Sequence, residues 1–169
     1  MSHVHRLQSS DRIFFVTVNL HRAAVPFAEV EFRLVTEALA ASRHKLGFLL
    51  CGYVVMPDHW HALIWTAFPL TISRAIQDVK WISASSLNRA RGARGTVWQH
   101  QFWDRFVRNQ REFGHRLDYM HLNPVRKGLV GRPQDWRWSS YNNFALDGEA
   151  VAACPIQIDH VHLPESYRG

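Results

Sequence analysis

The sequence has 169 residues and 47% hydrophobic side chains, which fits one folded domain with a substantial core and excludes a disordered chain. Lysine and arginine total 20 against 14 aspartates and glutamates, and the net charge of +6 favours a polyanionic partner such as nucleic acid. Two distant cysteines, Cys51 and Cys154, exclude a disulfide scaffold and a cysteine-rich zinc module, and no apolar run reaches the length of a membrane span.

The first part of the chain predicts a strand, a helix and a β-hairpin. Residues 13–20 are β-branched and aromatic, which favours a strand. From Pro26 onward, apolar residues three and four apart predict a helix that ends at Gly47, a residue typical of helix C-termini. Residues 48–56 and 59–66 predict two further strands, which the tight turn at Pro57 would join as a hairpin.

A second helix and a basic loop are predicted next. Apolar spacing predicts a helix from Thr71 to about Leu87. Arg89, Arg91 and Arg94 follow among glycines, which indicates a flexible basic loop. The loop is either a solvated linker or an arm that contacts phosphates.

The remaining pattern sets the fold class. The aromatic stretch 97–108 predicts a short fourth strand at residues 105–107. The order β-α-β-β-α-β then predicts an α+β, ferredoxin-like fold, with a four-stranded antiparallel sheet and two helices on one face. A third helix is predicted over residues 111–123, where Pro124 would end it.

His59 and His61 stand two apart at the start of the predicted third strand. Because successive strand side chains point to opposite faces, both imidazoles should share one face; on a helix the same pair would diverge by about 200°. Two imidazoles side by side form half of a metal site. A His-x-His pair alone is more often structural, so the hypothesis needs a third ligand and a nucleophile.

The third helix offers both. Tyr119 and Asn123 lie one turn apart on the same polar stripe as Arg116. A phenol and a carboxamide at this spacing could supply a nucleophile and a third metal ligand. The alternative for Tyr119 is an amphipathic residue that packs its ring and keeps its hydroxyl in water.

Two C-terminal stretches have alternative interpretations. Arginine interleaved with tryptophan over residues 132–141 suits stacking on unpaired bases, but these tryptophans could equally clamp a C-terminal extension onto the sheet. A second Asp-His-x-His string at residues 159–162 has no apolar strand after it, so a tail is the better interpretation.

Several of these stretches resemble a known family. Met56-Pro57-Asp58-His59-Trp60-His61 resembles the histidine–hydrophobe–histidine motif of the single-tyrosine HUH transposases, the IS200-like group, and residues 119–130 resemble their tyrosine helix. Within that group, similarity to the REP-associated tyrosine transposases is carried by Trp98-Gln99, Phe102, Asp104 and Trp138-Ser139-Ser140-Tyr141. The resemblance implies a transposase-like domain over residues 1–142 and a C-terminal extension over 143–169.

The resemblance also implies a chemistry: cutting and rejoining of hairpin-forming single-stranded DNA with Mg²⁺ or Mn²⁺. His59, His61 and Asn123 would hold the ion and Tyr119 would form a 5′-phosphotyrosine link, although many IS200-type enzymes have glutamine where Asn123 stands. Basic residues expected to contact the DNA are Arg89, Arg91, Arg94, Arg126 and Lys127.

Other functions and assembly states stay open from the sequence. A relative that binds DNA hairpins without cutting is the main alternative, and an unrelated hydrolase that uses His-x-His to activate water is another. IS200-type relatives exchange the tyrosine helix between two subunits, but the longer C-terminal segment favours a monomer, with a homodimer as the alternative. We expect a cytoplasmic protein with no membrane partner.

Overall fold

A four-stranded antiparallel sheet forms the centre of the protein, in a computed structural model that describes residues 5–6, 12–145 and 147–163. Its strands are β1 (Arg12–Asn19), β2 (Leu49–Val55), β3 (His59–Thr66) and β4 (Trp103–Phe106), in the spatial order β2-β3-β1-β4. The helices are α1 (Phe32–Leu46), α2 (Ile72–Arg91), α3 (Gln110–Arg126) and the short α4 (Gly148–Ala152). The predicted ferredoxin-like β-α-β-β-α-β order is confirmed.

The sheet carries a hydrophobic core on each face. On one face, α1 and α2 pack over Val16, Trp60 and Ala62. On the other face, α3 packs over Phe15 and Leu63 with the fully buried Met120. The predicted two-helix layer is therefore confirmed, and the third helix occupies the opposite face.

Gly52 in β2 leaves room for side chains of α3 that pack against the sheet. A Cβ atom added there would lie 2.8 Å from Leu117 Cδ1 and 3.1 Å from Met120 Cε. The pairing of β2 with β3 is also irregular between Leu50 and Gly52, so side chains before and after this point change faces. A larger residue at position 52 would force the ends of the Leu117 and Met120 side chains to move.

Helix boundaries differ from the sequence prediction at the start of α1 and the end of α2. The chain forms a 3₁₀ turn at Glu29–Glu31 before α1 begins at Phe32, and the Glu31 carboxylate accepts from the Ala28 N–H at 2.8 Å. Gly47 ends α1 in the left-handed region, φ 75°, as predicted. The helix α2 continues through Arg91, so Arg89 and Arg91 are helical and the predicted basic loop is shorter.

Pro124 does not end α3, which contradicts the sequence prediction. The helix runs through Pro124 to Arg126, and the N–H of Lys127 still bonds the Asn123 carbonyl at 3.0 Å. A proline removes one N–H from the ladder, but the residues after it can keep theirs, and here the turn closes only at Gly128, φ 70°.

The C-terminal segment joins the same core. Trp138 and Ser140 pair with the outer edge of β2, through Val55 N–H to Trp138 carbonyl (2.8 Å) and Ser140 N–H to Tyr53 carbonyl (2.9 Å). Trp136 donates from Nε1 to the Val55 carbonyl at 3.0 Å, and the Phe32 ring lies 5.4 Å from Trp136 and 5.7 Å from Trp138. These contacts support the clamping interpretation of the tryptophans over base stacking.

The string at residues 159–162 is anchored and is not the predicted tail. The Asp159 carboxylate accepts from the Leu50 N–H at 2.9 Å and pairs with Arg43 at 2.7 Å. Val161–His162 forms a short parallel pair with His5–Arg6. The last six residues of the predicted extension, 164–169, and residue 146 lie outside the described residues. No helix in the described part of the chain is both long and apolar enough to cross a membrane.

Candidate active site

His59 and His61 lie on the α3 face of the sheet, as the strand alternation predicted. Their ring centroids are 4.7 Å apart. The Nδ1 atom of His59 lies 2.6 Å from Asp58 Oδ1, and that of His61 lies 2.8 Å from the hydroxyl of Thr17 on β1. Both rings are therefore held by their Nδ1 atoms, which leaves Nε2 of each to face the site.

The protonation of these rings suits a metal ligand. A carboxylate only accepts hydrogen bonds, so the contact with Asp58 places a proton on Nδ1 of His59, and the neutral ring then carries its lone pair on Nε2. The Thr17 hydroxyl can accept from Nδ1 of His61, and in that tautomer Nε2 of His61 likewise carries a lone pair. Burial lowers the pKa of His61 to about 3, and the neighbouring His59 adds to this, so the imidazole is neutral at neutral pH.

Asn123 completes the group from α3. Its side chain is buried, with Nδ2 3.4 Å from His59 Nε2. A half-turn of the carboxamide exchanges its nitrogen and oxygen, two atoms that are distinguished only by their hydrogen bonds. In that orientation Oδ1 would face His59, and this amide oxygen is a ligand that Mg²⁺ and Mn²⁺ accept.

The chemistry of the donor atoms fits a divalent cation. Among the described residues, three buried side-chain atoms lack a hydrogen-bond partner: Trp60 Nε1, Trp65 Nε1 and His61 Nε2. The indole nitrogens are donors without a lone pair, so only His61 Nε2 could bind a cation. Leaving a buried polar atom unpaired costs about 1–3 kcal/mol, which a metal bond would offset. Two imidazole nitrogens and one amide oxygen suit Mn²⁺ better than Mg²⁺.

Tyr119 stands beside the histidines, one turn before Asn123. Its ring centroid lies 5.5 Å from that of His61 and 6.0 Å from that of Phe15, and the residue is 41% exposed. The phenol therefore packs on one side and is open to a ligand on the other. Tyr53, in contrast, is fully buried, and its hydroxyl accepts from the Ile156 N–H at 3.2 Å.

Two arginines flank the tyrosine. The Arg126 guanidinium carbon lies 5.7 Å from the centre of the Tyr119 ring, so this predicted DNA contact is close to the site. Arg116 was not among the predicted contacts, but its guanidinium carbon lies 5.0 Å from the centre of the Phe15 ring, which stacks on His61. In the sequence, the position of Arg116 three residues before Tyr119 on the polar stripe could have indicated that it lies near the site. Lys127 follows Arg126 and is exposed.

Arg89, Arg91 and Arg94 lie elsewhere, at the end of α2 and in the loop after it. Because α2 covers the opposite face of the sheet, these residues are not brought together with Tyr119. Arg89 and Arg94 are exposed, whereas Arg91 binds the Glu31 carboxylate, with Nε 2.6 Å from Oε1. The role of Arg91 in DNA binding stays a prediction, and its visible contact is structural.

Replacing Arg91 by alanine should lower the free energy of unfolding by about 2 kcal/mol, because it leaves the buried Glu31 carboxylate without its charged partner. Arg89→Ala, at an exposed position in the same turn, should change it little. The Arg91 guanidinium holds the pKa of Glu31 below its ordinary value of 4.5. This stabilisation is complete above pH 4.5 and is lost as the pH falls through the folded-state pKa. In urea unfolding, the difference in the free energy of unfolding between Arg91→Ala and the parent protein should therefore become smaller in acid.

Residues 8–108 match the sequence model of the family described as Transposase IS200 like. The match spans more than half of the 169 residues, so the chain belongs to the IS200-like transposase family. It ends before α3, so it includes neither Tyr119 nor Asn123.

Individual relatives indicate which group within this family the chain resembles. The REP-associated tyrosine transposase of Escherichia coli strain K12 is 28% identical over 151 residues, 88% of this chain and 87% of that protein. A Haemophilus influenzae protein named for the same group is 24% identical over 153 residues, 84% of this chain and 86% of the relative. The solved structure of a REP-associated tyrosine transposase bound to a REP hairpin has a TM-score of 0.68 and 25% identity, and covers 83% of each chain. The predicted resemblance to this group is confirmed.

Proposed function

We propose that this protein binds hairpin-forming DNA and cuts an adjoining single strand through a covalent link to Tyr119. The observation that carries the proposal is the placement of Tyr119, 41% exposed, with its ring 5.5 Å from that of the paired histidine His61. A protein that only binds DNA has no chemical need for this arrangement. The similar transposase solved with a REP hairpin and the net charge of +6 support hairpin DNA as the partner.

His59, His61 and Asn123 would hold one Mg²⁺ or Mn²⁺ ion through two imidazole nitrogens and an amide oxygen. When bound, such an ion withdraws charge from the scissile phosphate and stabilises its transition state. Thr17 and Asp58 fix the two rings by their Nδ1 atoms, so the Nε2 lone pairs are already oriented.

The covalent step is a displacement at phosphorus. The Tyr119 oxygen forms a bond to phosphorus while its proton passes to solvent, and the bond from phosphorus to the 3′-oxygen breaks. The 3′-oxygen takes up a proton, which leaves a 3′-hydroxyl and a 5′-phosphotyrosine. Attack by a 3′-hydroxyl on this link would reverse the step and rejoin the strand. Arg126 and Arg116 lie close enough to attract the phosphates on either side.

One chain can supply the whole site, because α3 brings Tyr119 to the histidines of the same chain. This arrangement supports a monomer as the active unit, in which the tyrosine helix is not exchanged between subunits. Sedimentation of the protein with and without hairpin DNA would measure its assembly state directly.

The test of the proposed function is a covalent adduct. The protein is incubated with Mn²⁺ and hairpin oligonucleotides that carry single-stranded flanks of random sequence, and the products are separated on a denaturing gel. We expect a labelled protein–DNA band that protease removes, with a free 3′-hydroxyl on the other fragment. Cutting without such a band would support the metal-activated water mechanism, and binding without cutting would support the hairpin-binding alternative.

Affinity for DNA should fall steeply with salt, because each phosphate contact in a single strand contributes about −0.7 to the slope of log K against log salt. Arg126→Ala and Lys127→Ala should each reduce the magnitude of this slope by about 0.7. Arg33→Ala is the matched control, because Arg33 pairs with Glu37 on α1, on the opposite face of the sheet. An affinity independent of salt would contradict a nucleic-acid partner.

A further inference from the structure

Trp103 is 75% exposed on β4, an unusual position for an indole ring. In the antiparallel pairing of β4 with β1, Trp103 lies opposite Thr17, and Thr17 lies opposite His61 on β3. Residues directly opposite each other point to the same face of a sheet. Trp103, Thr17 and His61 therefore form a row across three strands on the face that carries the candidate site.

A second contact confirms this direction. Arg105, two residues after Trp103 and on the same side of β4, pairs with Glu112 in the first turn of α3 at 3.2 Å. This face of β4 is thus turned toward α3. The exposed indole borders the same surface as Tyr119 and Arg116, at the outer edge of the sheet.

The spacing suits a nucleotide. Two interstrand steps separate the Cα atoms of Trp103 and His61 by about 10 Å. A phosphate held beside the histidines and Tyr119 would place the base of a neighbouring nucleotide within reach of the indole. Every nucleobase has a flat π-face, so an exposed tryptophan is a suitable stacking surface for an unpaired base.

We propose that Trp103 stacks on the unpaired base of a nucleotide that neighbours the scissile phosphate, with Arg105 and Arg116 attracting the adjoining backbone. This inference rests on the proposed function for the position of the phosphate. The stacking itself requires only that single-stranded DNA lies across this face. It assigns a positioning role to a residue that neither holds the ion nor reacts.

The first experiment measures binding alone. All variants carry Tyr119→Phe, so no cutting occurs, and the probe is a fluorescein-labelled single-stranded oligothymidine followed by anisotropy. Trp103→Ala should weaken binding about 5- to 150-fold, the range expected for one base–aromatic stack, and Trp103→Phe should retain most of the affinity. Trp81→Ala is the matched control, because Trp81 is 69% exposed but lies on α2, on the opposite face.

The second experiment locates the base. In protein with an intact Tyr119, an abasic nucleotide is moved stepwise along the flank around the cut site of the hairpin substrate. At one position the abasic nucleotide should raise KM as much as Trp103→Ala does. The two changes together should then raise KM no more than either change alone. This lack of additivity would show that the indole and that base contact each other.

Each outcome separates the two proposals. Adduct formation with unaltered oligothymidine binding by Trp103→Ala would keep the proposed function and overturn the stacking. Weakened binding without any adduct would keep the stacking surface and overturn the cutting mechanism. A lower melting temperature of Trp103→Ala with unchanged affinity would mean that protein covers the ring. If the protein is a dimer and Trp103→Ala dissociates it, this edge of the sheet is an interface between two copies. Either of these last two results would overturn the inference.

Discussion

Replacing Tyr119 by phenylalanine should abolish the covalent adduct and lower the cutting rate by about 10⁴-fold or more, the scale seen when a nucleophile is removed. The substitution deletes only the hydroxyl oxygen, the atom that would bond to phosphorus. The ring contacts with His61 and Phe15 are preserved, so folding, Mn²⁺ affinity and hairpin binding should stay close to those of the parent protein. A denaturing gel and anisotropy measure the two properties separately.

Tyr141→Phe is the control for this variant. Tyr141 is also partly exposed, at 37%, but its ring packs on His121, away from the paired histidines. It should form the adduct at the parent rate. An adduct on Tyr119→Phe would place the nucleophile elsewhere, whereas adduct-free cutting by this variant would indicate that water attacks the phosphate.

Patterns local in sequence predicted much of the fold and of the site. Strand alternation placed His59 and His61 on one face because the period of a strand is fixed by its backbone. Helical spacing placed Tyr119 and Asn123 one turn apart for the same reason, and the order of strands and helices limited the sheet to few topologies. These predictions depend on neighbours along the chain and need no knowledge of distant contacts.

Distant contacts account for the errors. The helix α2 includes Arg89 and Arg91, and the Arg91 side chain is held by Glu31, a residue far away in sequence. The string that contains Asp159 is not a tail, because its carboxylate binds the Leu50 N–H at the edge of β2. Neither partner can be identified from spacing or composition. Pro124 shows a different limit, because proline disfavours a helix locally but the surrounding packing can still retain it.

The position of the Tyr119–Asn123 pair beside the histidine pair also depends on tertiary contacts. Sequence spacing indicates that Tyr119 accompanies Asn123 and that His59 accompanies His61, but not that α3 lies against β3. In that approach, the glycine at position 52 leaves room for the ends of the Leu117 and Met120 side chains, and Met120 is fully buried against the sheet. Thr17, which orients His61 from the neighbouring strand, had no signal in the sequence.

Alanine at His59 or His61 should abolish adduct formation and remove most Mn²⁺ binding, while leaving hairpin affinity largely intact. Each substitution deletes an imidazole whose Nε2 is directed at the candidate ion site, and for His61 this atom is buried without a partner. Calorimetric titration with Mn²⁺ reports the site without reference to activity. His59 is the cleaner variant because its side chain is 12% exposed whereas His61 is buried, so its removal should lower the melting temperature less than the removal of His61.

His115→Ala is the matched control, because this histidine is exposed on α3 and should alter neither Mn²⁺ binding nor the adduct. Asn123→Ala should lose less Mn²⁺ affinity than either histidine variant, because it retains both imidazole ligands. Full cutting by the double variant His59→Ala/His61→Ala would disprove the metal site.

Mixing His59→Ala with Tyr119→Phe tests whether the active unit is a monomer. Each protein lacks one half of the site, so a monomer should form no adduct. An adduct in the mixture, absent from either protein alone, would show that two chains exchange α3 and complete each other's sites.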